Sequence, residues 1–122
     1  MKKDIGLYIH MPFCKAKCYY CDFISYANKE KLIKEYVEAL IKEMKHINLS
    51  KYSIQTVYIG GGTPSLIDNE SISKIMDNVR LFVADNAEIT IEINPGTANK
   101  EKLKKYKEIG INRLSIGLQS AD

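Results

Sequence analysis

Four short stretches have the apolar, β-branched or alternating pattern of strands, and apolar residues recur at helical spacing in the three stretches between them. The predicted strands are residues 5–9, 54–59, 88–93 and 113–118. The first predicted helix spans residues 29–47, the second begins at Asp68 or Asn69, and the third begins at Thr97 or Asn99 and stops at Gly110. This alternation predicts an α/β fold with one parallel sheet and right-handed crossovers, in which about four βα units are present.

Helical spacing also predicts which side chains of the helices face the sheet. They are Leu32, Ile33, Tyr36, Val37, Leu40, Ile41 and Met44 in the first helix, Ile72, Ile75, Met76, Val79 and Val83 in the second, and Leu103, Tyr106 and Ile109 in the third. In the third strand, Ile89, Ile91 and Ile93 are predicted on one face and Thr90, Glu92 and Asn94 on the other. We interpret Met44 as a core residue, because it belongs to an apolar stripe.

The residues that suggest chemistry all follow predicted strands. Cysteines follow the first strand, three glycines the second, Glu92 lies near the end of the third, and Gln119 follows the fourth. In parallel α/β folds, ligands bind at the carboxyl ends of the strands. The sequence therefore predicts one binding site at that rim of the sheet.

Composition limits the class of protein. The chain has 122 residues, 45% of them apolar, and a formal net charge of +3, so we expect one domain or part of one with a packed core. The lysines are scattered rather than clustered, which does not suggest a nucleic-acid partner. No apolar stretch reaches the length of a membrane span, and the N-terminus does not resemble a signal peptide. An odd number of closely spaced cysteines fits a reducing interior, and a cytoplasmic location is expected.

All three cysteines of the chain, Cys14, Cys18 and Cys21, lie within eight residues with the spacing C-x3-C-x2-C. Three cysteines cannot all pair as disulfides, and a tetrahedral structural zinc site needs four ligands. A [4Fe–4S] cluster normally takes four cysteines, so three would leave one iron open to a small molecule.

Other interpretations of the cysteines remain open at this point. Cys18 and Cys21 form a C-x-x-C pair that could be redox-active, with Cys14 incidental. His10 lies four residues before Cys14 and could complete a Cys3His zinc site. A purely structural cluster is a third possibility, although free thiols this close would oxidise unless they held a ligand.

The cysteine motif, with Tyr20 before its last cysteine, resembles that of the radical S-adenosylmethionine (SAM) superfamily. The flanking residues 8–13 (Tyr-Ile-His-Met-Pro-Phe) and residues 60–64 (Gly-Gly-Gly-Thr-Pro) resemble the family of anaerobic coproporphyrinogen III oxidase and the heme chaperone HemW. The resemblance runs along the whole chain. It implies a partial (βα)6 barrel, of which residues 1–122 would be the truncated N-terminal portion, inactive by itself.

The resemblance also implies cofactors and residue roles. Cys14, Cys18 and Cys21 would hold a [4Fe–4S] cluster that, with an electron donor, cleaves SAM to methionine and a 5′-deoxyadenosyl radical. SAM would be contacted by Tyr8, Tyr20, Gly61, Gly62, Thr63, Glu92 and Gln119. A tight turn before Pro64 is the alternative for the glycines, and solvation at strand ends is the alternative for Glu92 and Gln119. The role of His10 stays open between orienting the loop, contacting substrate and structural hydrogen bonding, and no catalytic residue is assigned.

Two branches of this family differ just after the last cysteine. The oxidase branch usually has another cysteine two residues on, where this chain has Phe23, and the Asp22-Phe23 pair resembles the HemW branch. The resemblance thus favours a heme-binding chaperone over the oxidase that converts coproporphyrinogen III to protoporphyrinogen IX. Whether the protein is an enzyme is not decided, and the heme or porphyrin site is expected mostly beyond Asp122. A non-enzymatic, cysteine-rich metal-binding module is the alternative from another class.

Overall fold

The computed structural model of the chain describes residues 2–12, 26–61, 64, 67–94, 96 and 99–116. In these residues the elements are, in order, β1 (Lys3–Met11), α1 (Tyr26–His46), β2 (Tyr52–Gly61), α2 (Asn69–Val79), β3 (Val83–Ile93), α3 (Lys100–Ile109) and β4 (Arg113–Ile116). Short 3₁₀ turns, Leu49–Lys51 and Arg80–Phe82, precede β2 and β3. The predicted alternation of strands and helices is confirmed.

The four strands form one parallel sheet in the order β1-β2-β3-β4. Helix α1 contacts α2, and α2 contacts α3, so the helices form a single layer against one face of the sheet. Sequential parallel strands with all helices on one face are the arrangement of a (βα) barrel wall. The predicted α/β class is confirmed, and a partial barrel is consistent with this sheet.

The core lies between the sheet and the helix layer. Alternate residues of the strands point into it, and the buried apolar side chains include Ile9, Met11, Val57, Ile59, Ile89, Ile91 and Ile93 from the sheet and Val37, Met44, Ile72, Ile75 and Tyr106 from the helices. Met44 is therefore a core residue, as its position in the apolar stripe predicted. The opposite face of each strand is left for polar and aromatic side chains.

Side-chain caps decide where α2 and α3 begin. Asp68 accepts a hydrogen bond from the backbone N–H of Ser71 at 3.1 Å, and Asn99 accepts one from Lys102 N–H at 2.7 Å. Each cap satisfies a backbone donor in the first helical turn, which has no partner within the helix. Of the predicted alternatives, Asp68 and Asn99 are the caps, and Gly110 ends α3 in a left-handed conformation as predicted.

One predicted core position is wrong, and one core residue was assigned to the wrong element. Leu32 is 45% exposed, because it lies at the edge of the apolar stripe of α1. Val83 packs against the core as predicted, but it belongs to β3 instead of α2, since the 3₁₀ turn ends the helix at Val79. The described strands β1 to β3 are longer than the predicted ones, and α1 begins at Tyr26, three residues earlier than predicted.

A bulge in β2 sets the register of the rim. Ile5 pairs with Ile54, but Gly6 pairs with Thr56, so Gln55 is an extra residue in β2. Without it, Ile54 and Val57 would lie on opposite faces, because side chains alternate along a strand. The bulge lets both be buried in the core and brings the polar face of β2 into register with that of β1.

None of the helices in the described part of the chain has the length and apolar character that a bilayer crossing requires.

Candidate functional site

The rim at the carboxyl ends of the strands brings together residues from β1, β2 and β3. His10 of β1 pairs with Gly60 of β2, and the Glu92 carboxylate of β3 reaches the backbone of Gly61. Tyr8 lies two residues before His10 on the same face and is 56% exposed. Three of the predicted SAM contacts, Tyr8, Gly61 and Glu92, thus lie on one rim.

The side chains of Tyr8, Glu92 and the β2 residue Tyr58 converge at Gly60. A Cβ at Gly60 would overlap Oε1 of Glu92, and it would come within 2.8 Å of Cε1 of Tyr58 and 3.0 Å of the Tyr8 hydroxyl. Cβ contacts in proteins almost never fall below 3.0 Å. The side chains of Tyr8, Tyr58 and Glu92 therefore occupy the space that a side chain at Gly60 would need.

Gly61 ends β2 with a φ of +124°, which L-residues with a Cβ rarely adopt, and a Cβ there would lie 2.6 Å from the carbonyl oxygen of Met11. Its backbone N–H donates to Oε1 of Glu92 at 3.1 Å. The Glu92 carboxylate of β3 thereby holds the backbone of Gly61, the last residue of β2. A carboxylate has about four lone-pair sites, so this bond does not exhaust the acceptor capacity of Glu92.

An aromatic row crosses the polar face of β1 and β2. The rings of Tyr8 and Tyr58 stack with centroids 5.9 Å apart and an interplanar angle of 13°, and the imidazole of His10 lies against Tyr8 at 5.9 Å. The Tyr8 hydroxyl is 3.3 Å from Nδ1 of His10, and Tyr58 donates to Oγ of Ser115 in β4 at 3.4 Å. These contacts join β1, β2 and β4, and the Glu92 carboxylate of β3 reaches the same place through its hydrogen bond with Gly61.

Hydrogen bonds connect Pro64 and Ile67, which follow the three glycines, to α3. The N–H of Ile67 donates to the carbonyl of the buried Pro64 at 3.0 Å, and the amine of Lys102 donates to the carbonyl of Ile67 at 3.3 Å. Burial lowers the pKa of the Lys102 amine, while the nearby negative charge of Asp68 opposes that shift. Lys102 therefore links the segment after β2 to the helix after β3.

Several predicted site residues lie outside the described residues. They are Cys14, Cys18, Cys21, Tyr20, Gly62, Thr63 and Gln119. Their assignments, and that of the branch-specific Phe23, stay predictions. Among the described residues no three His, Cys, Asp or Glu side chains group as metal ligands.

Sequence patterns did not identify Tyr58 and Lys102, and they named Gly60 only as part of a glycine stretch that a ligand could approach. Nothing local showed which side chains cover Gly60. Tyr58 looked like an ordinary strand residue and Lys102 like a solvated helix position. Their contacts with Glu92, Ile67 and Ser115 span 32 to 57 residues of sequence, so no local pattern encodes them.

An open groove of about 430 Å³ lies at the other end of the sheet, beside the end of α3 and the start of β4. Its lining includes Leu103, Tyr106, Ile111 and Leu114. The groove is separate from the rim, because β4 begins there.

Comparison with known proteins agrees with this arrangement. The model of the radical SAM superfamily matches residues 8–122, and the chain belongs to that superfamily. Among individual proteins, the chain is similar to the heme chaperone HemW. It is 48% identical over 121 residues to HemW of Buchnera aphidicola (Schizaphis graminum), and 41% identical over 121 residues to HemW of Escherichia coli K12.

The alignments with HemW cover 95% of this chain but 32% of each relative, so the chain spans about a third of their length. Among solved structures, the chain resembles the coproporphyrinogen III oxidase HemN of Escherichia coli, a radical SAM enzyme. The TM-score is 0.81 at 29% identity, and the match covers 99% of this chain and 29% of the other. The predicted resemblance to this family is confirmed.

Proposed function

We propose that the chain forms the cluster- and SAM-binding part of a HemW-type heme chaperone. The observation that carries the proposal is the match to the radical SAM superfamily over residues 8–122, together with identities of 41–48% to HemW proteins. A cytoplasmic location belongs to the same proposal, since the cysteines must stay reduced.

In this proposal Cys14, Cys18 and Cys21 hold a [4Fe–4S] cluster. Three thiolates suit such a cluster and leave one iron open, which is the site that SAM needs. When bound and reduced by an external electron donor, the cluster supplies one electron for cleavage of the sulfonium of SAM. The cysteines directly follow β1, whose last residues carry Tyr8 and His10 on the rim.

The residues of the rim suit the polar groups of SAM. Glu92 offers a half-buried carboxylate for the amino group, and it lies beside Gly61, which has no side chain to block a ligand at the end of β2. Tyr8 offers a hydroxyl beside the same carboxylate. With Tyr20, Gly62, Thr63 and Gln119, these residues would bind and orient SAM next to the open iron.

The second candidate function is that of an oxygen-independent coproporphyrinogen III oxidase. The fold similarity to HemN supports it, with a TM-score of 0.81. Phe23, at the place where the oxidase branch usually has a cysteine, and the higher identities to HemW favour the chaperone.

Anaerobic reconstitution tests the proposal. We expect about four irons per chain and the broad visible absorption of a [4Fe–4S] cluster, both lost in Cys14→Ala, Cys18→Ala and Cys21→Ala. SAM should change the electron paramagnetic resonance (EPR) spectrum of the reduced cluster. Stoichiometric zinc without iron uptake would instead identify a structural metal-binding module.

A second experiment separates the two functions within the family. Because the chain spans about a third of the HemW relatives, the test uses a reconstituted protein in which this chain is joined to the remaining two thirds of a relative's length. It is titrated with heme and, separately, incubated with coproporphyrinogen III, SAM and a reductant. Heme binding without decarboxylation supports the chaperone, whereas formation of protoporphyrinogen IX would establish the oxidase.

A further inference from the structure

Tyr36 of α1 makes a long-range contact with β1 just before the cysteine residues. Its hydroxyl donates to the backbone carbonyl of His10 at 2.5 Å, across 26 residues of sequence. His10 is the penultimate residue of β1, and Cys14 follows four residues later. The contact therefore joins the strand that precedes the cysteine residues to the helix that follows them.

The two ends of this hydrogen bond are held differently. On the helix side, Ile33 and Val37 flank Tyr36 and are buried in the core, so the position of α1 is fixed by packing. On the strand side, β1 pairs only with β2 among the described strands. Within the described part of the chain the other edge of β1 has no strand partner, so the Tyr36 hydroxyl contacts the end of β1 from outside the sheet.

The Tyr36 phenol stays protonated and can therefore donate its hydrogen bond. Burial, and then the negative charges of Glu43 and of an ionised Tyr8, raise the pKa of the Tyr36 phenol. The hydroxyl consequently keeps its proton at every pH at which the protein would function.

We propose that Tyr36 is a positioning residue for SAM binding: by holding the carbonyl of His10, it fixes the end of β1 and with it the Tyr8 and His10 side chains. The inference rests on the proposed function, because it assigns Tyr8 to SAM. The backbone near His10 sets the directions of both side chains, whose rings lie against each other at a tilt of 30°. A small rotation of the strand end would move the Tyr8 hydroxyl away from Glu92 and Gly60.

The test is Tyr36→Phe in the anaerobically reconstituted protein, which removes only the hydroxyl. We expect the iron content and the melting temperature to stay near those of wild type. The dissociation constant for SAM, measured by calorimetric titration, should rise roughly two- to tenfold, the range that corresponds to one net hydrogen bond. The change of the cluster EPR spectrum should then require correspondingly more SAM.

Two control variants separate positioning from stability. Val37→Ala loosens the packing of the same helix and keeps the Tyr36 hydroxyl, so it should lower the melting temperature and leave SAM affinity unchanged. Tyr106→Phe removes a tyrosine hydroxyl that has no hydrogen-bond partner among the described residues, and it should not affect SAM.

The outcomes distinguish this inference from the proposed function. Wild-type protein that binds SAM, together with Tyr36→Phe of equal affinity, would overturn the inference alone. A loss of SAM affinity in Val37→Ala as large as that in Tyr36→Phe would show a merely structural role. Wild-type protein that holds a cluster but binds no SAM would overturn the proposed function and the inference with it.

Discussion

Substituting Gly60 by alanine tests whether the rim side chains can keep their positions only when residue 60 has no side chain. The new Cβ would overlap Oε1 of Glu92 and press on Tyr58 at 2.8 Å and on Tyr8 at 3.0 Å. Ordinary van der Waals contacts of a Cβ begin at 3.4 Å. Of the three neighbours, the Glu92 carboxylate can move most cheaply, because it is the end of a flexible side chain.

Moving that carboxylate breaks its hydrogen bond with the Gly61 N–H. A hydrogen bond to a charged group contributes about 1.5–3 kcal/mol, and the lower end applies because Glu92 is only half-buried. We therefore expect Gly60→Ala to reduce the free energy of unfolding by about 1–2 kcal/mol. If Glu92 binds SAM, moving its carboxylate should reduce the binding free energy of SAM by about 1.5 kcal/mol, which is roughly a tenfold loss of affinity.

The assays are urea denaturation followed by circular dichroism, and calorimetric titration of the reconstituted protein with SAM. Gly6→Ala is the matched control: a Cβ there would lie 2.7 Å from Oγ1 of Thr56, on the same strand pair but remote from the rim. It should lower stability without changing SAM affinity.

A double variant tests the mechanism. In a Glu92→Ala background, Gly60→Ala should cost much less stability, because the overlapping carboxylate is gone. Wild-type SAM affinity in Gly60→Ala, or an undiminished stability loss in the double variant, would refute the reasoning.

Three further predictions concern the rest of the fold. Asn112→Ala should lower the free energy of unfolding by about 1–3 kcal/mol in urea denaturation, because the Asn112 side chain donates to Ala87 O at 2.9 Å and accepts from Ile89 N–H at 2.8 Å. Asn112→Asp should lower the free energy of unfolding by less, and equal losses in the two variants would contradict this. Burial raises the pKa of Tyr106, so above about pH 10 the unfolded state loses the phenolic proton first and stability falls as pH rises. Tyr106→Phe should reduce that fall, and an unchanged pH profile of the urea midpoint would contradict the assignment. Ile116, 57% exposed on the edge strand β4, should promote association, so Ile116→Lys should shift any oligomer toward monomer in size-exclusion chromatography; an unchanged elution profile of an associated wild type would exclude this surface.

The sequence alone predicted the α/β class and the sequential arrangement of strands and helices. The alternation of Ile89, Ile91 and Ile93 with polar residues is a local signal, and so is the apolar stripe that includes Val37 and Met44. Both were confirmed, because burial of one face forces the side-chain period of a strand or helix into the sequence. The carboxyl ends of parallel strands share one rim, so Glu92 and Gly61 were also predicted to lie together.

Cap positions and element ends were predicted less well. Asp68 and Asn69 are both good capping residues, and only the backbone geometry selects Asp68. The chain turns into β3 at Val83, although its spacing also suits α2. Short-range preferences of similar size compete at such boundaries, and packing of the whole domain selects between them.

Only the tertiary structure decided how the rim is assembled. The overlap of Glu92 with the space above Gly60 depends on the register between β2 and β3, and the contact between Tyr36 and His10 depends on how α1 packs against β1. Neither follows from composition or periodicity, because the partners are 26 and 32 residues apart, and the bulge at Gln55 shifts which side chains face each other. Sequence periodicity fixes the face on which a side chain lies, whereas the distance between two side chains is fixed only when strands and helices pack together.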